Sequence, residues 1–186
     1  MELETQLAKL AELGLVPNAG IEIEDLLYSL DRSELEAELF LPLIGLLGAE
    51  VEREPWGRRI CDRVWNFDTE CINAPGNYVN IVQKLGLLTG DPDYLTELVD
   101  SLDFETDDAW LEYTVEGRRQ HWSIELNDDW ADMMALSYVM EDLQQDGKQF
   151  YSIDNGQAMI LFYLDPETAT KLGDLCTEDL EPVIPA

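Results

Sequence analysis

The 186-residue chain predicts an α+β fold, an antiparallel sheet with helices packed on it and a helical N-terminal segment. Three observations carry this. Residues 1–50 are rich in Leu and Glu at helical spacing. From about residue 60, apolar and polar residues alternate in several short stretches. Those stretches are linked by turn residues and interleaved with helix-like segments, an order that gives hairpins with helices on one sheet. The chain divides into a helical segment, residues 1–50, and an α+β domain, residues 51–186, read together as one compact unit.

The elements follow in order. Leu3, Leu7, Leu10 and Leu13 recur every three or four residues, and Gly14 can stop that helix. A second helix is expected near 22–30. A third starts near Ser33, which can form a capping box with Glu36, and Pro42 kinks or ends it. In 65–71, Trp65, Phe67, Thr69 and Cys71 alternate with Asn66, Asp68 and Glu70, the pattern of a half-buried strand. Asn73-Ala74-Pro75-Gly76 is a turn, and the next helix has Tyr78, Ile81, Val82 and Leu85 on one face. Leu111, Tyr113 and Val115 mark a strand. Gly117 turns it into another strand carrying Trp122, Ile124 and Leu126, through a loop expected to exceed two residues. Asn127-Asp128-Asp129 caps a helix over about 130–145, with Met133, Leu136, Met140 and Leu143 inward. Asn155-Gly156 is the preferred pair for a two-residue type I′ hairpin turn. The strand after it, Ala158 to Leu164, is apolar on both faces and belongs in the middle of the sheet, with Ile160 and Phe162 against Leu136 and Val139 of the 130–145 helix. Asp165, Pro166 and Glu167 open a last helix as N-cap, N1 and first-turn acid.

Composition bounds the function. Hydrophobic residues make up 46% of the chain, with five Trp, seven Tyr and five Phe, enough to drive folding. Forty acidic residues against 11 basic ones give a net charge of −29, which removes the positive patch that phosphate binding needs. Adsorption to an anionic membrane is excluded on the same ground. A charged partner is therefore a basic one. The first residues carry neither the positive start nor the apolar run of a secretory signal, and no stretch approaches the roughly 18 apolar residues of a membrane span. Cys61, Cys71 and Cys176 are odd in number and form no C-x-x-C, so they read as free thiols in a reducing cytoplasm.

Catalytic signatures do not emerge. His121 shares a strand face with Ser123 and Glu125, but successive residues on such a face stand about 7 Å apart, whereas a triad needs contact between separate elements. Phosphate-binding Gly loops, H-E-x-x-H and G-x-S-x-G are absent from the sequence, and Asp103 to Asp108 lacks the central Gly of an EF-hand loop. No metal or cofactor is expected. Arg53, Arg58, Arg59 and Arg63 form one basic cluster beside Trp56 and Trp65, readable as an anion site or as internal pairing with the protein's own carboxylates.

The acidic surface is the remaining signal. Between Asp91 and Asp146 there are 17 acids and two bases, Arg118 and Arg119, a balance of −15. The candidate partner-facing residues are Asp103, Glu105, Asp107 and Asp108 before one strand, Asp128, Asp129 and Asp132 at a helix start, and Trp110 as an aromatic anchor sharing a strand face with Glu112. Acids at a helix N-terminus also serve the helix dipole, so part of this pattern is structural. A solvated surface and adaptation to high salt are the bland alternatives, although 19 Asp against 21 Glu does not show the Asp excess expected of the latter.

A small, very acidic chain with aromatics near its acidic loops resembles the immunity proteins of bacterial toxin systems. The stretches Val64-Trp65-Asn66-Phe67-Asp68-Thr69-Glu70-Cys71 and Asp154-Asn155-Gly156-Gln157-Ala158 are similar in character to such proteins. The resemblance implies a non-catalytic inhibitor whose carboxylates meet Lys and Arg in the active-site groove of a basic toxin or nuclease effector. Alternatives are a nucleic-acid mimic that blocks another basic protein, and an enzyme whose site the sequence does not reveal.

Overall fold

The computed structural model describes residues 1–184. The N-terminal helices are α1 (Leu3–Glu12), α2 (Ile23–Ser29), α3 (Arg32–Ala37) and α4 (Leu41–Leu47). After β1 (Val64–Asp68) and α5 (Asn77–Thr89) come β2 (Thr96–Asp103), β3 (Asp108–Val115) and β4 (Arg118–Ser123). The chain continues through α6 (Met133–Leu143), β5 (Gln149–Asn155), β6 (Ala158–Leu164), α7 (Pro166–Cys176) and the short β7 (Glu181–Pro182). The fold is α+β with a helical N-terminal segment, as the sequence predicts. Its strands form two antiparallel sheets, one ordered β1-β6-β5-β7 and the other the meander β2-β3-β4.

β6 lies between β1 and β5, and it is apolar on both faces because layers pack on both sides of it. Its two faces feed two different cores. Leu161 and Tyr163 join Trp65, Phe67 and Phe150 in a core shared with α5, α6 and the buried meander residues Leu111, Tyr113 and Val115. Ile160, Phe162 and Leu164 join Val64, Tyr151 and Ile153 in a second core, closed by the N-terminal helices and α7 through Leu3, Leu43, Leu47 and Leu172. This corrects one expectation. Leu136, Val139, Ile160 and Phe162 are all buried, but Ile160 and Phe162 face the N-terminal helices, while the α6 pair packs on the opposite side of the sheet. Period 2 identifies two faces without saying which helix covers each.

Several element ends also differ from expectation. The capping box of α3 is Asp31 with Glu34, two residues before the expected pair. Glu36 instead accepts the Leu3 N–H at 3.0 Å and so caps α1 from a distance. Pro42 lies in the first turn of α4, where its missing N–H costs nothing, so it opens a fresh helix. The β3–β4 loop has only two residues: Val115 pairs with Arg118, and Glu116 and Gly117 both take positive φ (49° and 76°), as a type I′ turn requires. At the other hairpin the register moves by one. Asn155 pairs with Ala158, so the turn residues are Gly156 (φ 74°) and Gln157, the arrangement of a II′ turn with Gly first. The strand expected over 65–71 ends at Asp68. The chain then binds the loop before α6, Ala131 N–H donating to Thr69 O and Ile72 N–H to Asp129 O. That loop is thereby extended, and α6 starts at Met133 with Asp132 as its N-cap rather than near 130.

β2 has no counterpart in the sequence reading. It is irregular between Thr96 and Val99, where Glu97 takes φ 53°, and this hides its alternation. Its Asp100 carboxylate accepts the Gly76, Tyr78 and Val79 N–H groups at 2.6, 2.9 and 3.3 Å, capping α5 across 21–24 residues of chain.

Candidate functional site

The predicted acidic residues leave one end of the meander. Asp103 and Asp108 are register partners flanking the β2–β3 turn that holds Glu105 and Asp107, and all four are exposed. Hydrogen bonds from the Thr106 side chain and from the Glu105 and Thr106 backbone hold the Asp103 carboxyl below its ordinary range. Ile124 N–H donates to Ala109 O at 2.9 Å, so the chain after β4 runs beside the start of this hairpin before reaching Asp128 and Asp129, both exposed. Asp132 is already engaged. Its Oδ1 accepts the Met134 and Ala135 N–H groups at 2.9 and 3.1 Å, and its Oδ2 accepts that of Glu125 at 2.9 Å. Its own N–H donates to the Tyr78 hydroxyl at 2.8 Å, and burial pushes that phenol up to about 12.

Trp110 is half-buried on the solvent face of the meander, stacked on His121 with ring centroids 5.7 Å apart. His121 Nδ1 lies 2.8 Å from Glu112 Oε1 on the neighbouring strand. Arg119 Nε donates to the other oxygen of Glu112 at 3.1 Å. Arg119, and then His121, hold the Glu112 carboxyl below its usual range. The acid beside His121 is thus Glu112, not Glu125, because β4 ends at Ser123.

The Arg cluster is largely internal. Asp25, only 1% exposed, accepts Arg53 Nε at 2.7 Å, Arg58 Nη1 and Nη2 at 2.9 and 2.8 Å, and the Glu22 N–H at 3.0 Å. Arg58 foremost, with the Glu22 N–H and Arg53, holds the Asp25 carboxyl far below its ordinary value. Arg59 pairs with Asp62 at 3.1 Å. The cluster therefore ties the segment before β1 to α2.

The sequence reading missed a different surface. α6 turns Ala135, Leu136, Val139, Met140 and Leu143 inward, yet its outward positions are not all polar. Met134 is 65% exposed and Tyr138, one turn on, 37%; Trp130, in the loop before α6, is 38% exposed. Trp122 of β4 stacks on Tyr138 with centroids 4.3 Å apart and planes 18° from parallel. Its indole N–H donates to the Tyr113 hydroxyl at 2.9 Å, and that hydroxyl lies 2.7 Å from Asp142 Oδ2. Burial, reinforced by Asp142, raises the Tyr113 phenol, so it stays protonated and donates to that carboxylate. This hydrogen-bond chain holds the Trp122 ring in one orientation against Tyr138. The only signal available in the sequence was the residue types left outside the inward stripe: Met134 and Tyr138 are i, i+4.

Among the described residues, no group of three or more His, Cys, Asp or Glu side chains is arranged to hold a metal ion, and no helix is long and apolar enough to cross a membrane. Comparison with protein-family models, characterised proteins and solved structures finds no match to this chain.

Proposed function

We propose that this protein is a non-catalytic binding protein that covers a basic surface of a protein partner, with the α6 face as its contact and the acidic loops as its steering field. The observation that carries this reading is the exposed Met134 and Tyr138 of α6, with Trp122 stacked on Tyr138 and Trp130 exposed in the loop before the helix, on a chain of net charge −29. Exposed apolar patches rimmed by polar residues mark protein contacts. Trp and Tyr supply anchors at such contacts, and Met adapts its shape to the partner. Asp128, Asp129 and Glu141 are exposed near this face and favour Lys and Arg across the interface. The resemblance to immunity proteins narrows the partner to a basic toxin or nuclease effector whose active site is covered. We place the encounter in the cytoplasm, where the free thiols of Cys61, Cys71 and Cys176 stay reduced.

Stopped-flow kinetics on the purified pair tests the proposal, with the partner recovered from source lysate at low salt. Met134→Ala with Tyr138→Ala should speed dissociation by about thirtyfold, the equivalent of about 2 kcal/mol for a hot spot. Neutralising Asp103 with Asp108, or Asp128 with Asp129, should instead slow association and flatten its salt dependence. An unchanged dissociation rate in the α6 variant would refute the assignment.

A further inference from the structure

The groove on the α5–α6 side of the four-stranded sheet has a chemistry that specifies its occupant. Its volume is about 600 Å³, within the range of ligand sites. Asp154 and Met159 are cross-strand partners and so share a face, as do Ser152 and Glu181. Trp130 and Met133 form the opposite wall, and Asp179 the rim. Among the described residues no Lys or Arg lines the groove, and neither Asp154, Asp179 nor Glu181 is in an ion pair. These carboxylates are therefore open to a cation from outside the chain, unlike Asp25 and Glu112, which already hold Arg side chains.

The sheet edge beside the groove is open. β7 pairs with β5 only at Tyr151–Pro182 and Ser152–Glu181, with Val183 N–H donating to Phe150 O. Backbone groups alternate sides along an antiparallel strand, so those of Asp154 point the same way as those of Phe150, past the end of β7.

From these features we infer that the groove receives an extended Lys- or Arg-bearing segment of the partner. The inference rests on the proposed binding role, and Met133, the first residue of α6, lines the groove. The aliphatic stem of a Lys or Arg lies along Met133 and Met159 while its charged head reaches Asp154, Asp179 or Glu181. The open edge at Asp154 suits an extended backbone rather than a helix.

The probe is an acetylated, amidated hexa-arginine peptide, titrated at low salt into the full chain labelled with ¹⁵N. Saturable shifts should centre on the Thr69, Asp154 and Gly156 amides and the Trp130 indole. Asp154→Asn with Asp179→Asn should weaken binding about tenfold, two partly exposed ion pairs being lost. Glu12→Gln with Glu24→Gln removes the same charge on the exposed surface of α1 and α2 and should leave the affinity nearly unchanged. Equal weakening by the two double variants, or shifts spread over all acidic loops, overturns the inference and shows only a diffuse field. Should the peptide bind as expected while Met134→Ala with Tyr138→Ala leaves partner dissociation unchanged, the groove stands and the α6 contact falls. The converse pair of results removes the groove alone.

Discussion

Phe162→Ala tests the division of the molecule into two cores. Phe162 has no exposed surface and sits between Val64 and Tyr151, its register partners on either side. A buried Phe removes about 150–250 Å² from water, which at about 25 cal/mol per Å² is roughly 4–6 kcal/mol as an upper bound. Residual burial in the denatured chain trims this by about 10–40%. The expected loss is therefore about 3–5 kcal/mol, the range typical of Phe→Ala truncation with its cavity. For a chain of this size that corresponds to a fall in Tm of about 6–20 °C. Urea denaturation followed by circular dichroism gives the magnitude, and amide hydrogen exchange gives the location. Because Phe162 packs with the N-terminal helices, exchange should accelerate in α1 and α4 more than in α5 and α6. Leu161→Ala, one residue away on the opposite face, should show the reverse. A loss below about 1 kcal/mol for Phe162→Ala, or the same exchange pattern in both variants, would refute the two-core arrangement.

Other substitutions probe contacts made across the fold. Gly48→Ala should sharply lower Tm or abolish folding, because a Cβ there would lie 2.4 Å from the Asn66 backbone N, and Asn66 N–H donates to Gly48 O at 2.9 Å. Asp100→Ala should cost about 1–2 kcal/mol in urea denaturation, as loss of an N-cap does, with Asp100→Asn recovering part of it. Asp25 contributes stability with a definite sign in pH. Its carboxyl is held below the ordinary value of 3.8, so the native state binds fewer protons than the unfolded chain. Its contribution is full at neutral pH and declines as pH falls through and below the ordinary carboxylate range. The stability gap between wild type and Asp25→Asn should therefore narrow between pH 6 and pH 3; a constant or widening gap would contradict the Arg53–Asp25–Arg58 arrangement.

The sequence by itself determined the α+β class, the helical N-terminus, the central place of β6 and the start of α7, where Asp165 caps and Pro166 follows. These are local properties, periodicity over a few residues and turn chemistry within four. The net charge of −29 is likewise sequence information, and it motivates the proposal of a basic partner without locating the contact. The tertiary structure decided everything that joins distant residues: Asp25 with Arg53 and Arg58, Asp100 over the start of α5, and the sides of β6 taken by α6 and the N-terminal helices. It also decided the candidate contact. Asp103, Glu105, Asp107 and Asp108 could be read as exposed because charge alone keeps them in water, and they are. Met134 and Tyr138 could not, since an apolar residue on a helix is ordinarily buried by something, and only the packed neighbours show that Met134 stays largely exposed and that Tyr138 is covered on one side by Trp122, its one aromatic contact among the described residues. Asp132 shows the opposite limit, an acid among acids whose two oxygens are taken up by backbone N–H groups that come together only when the chain folds.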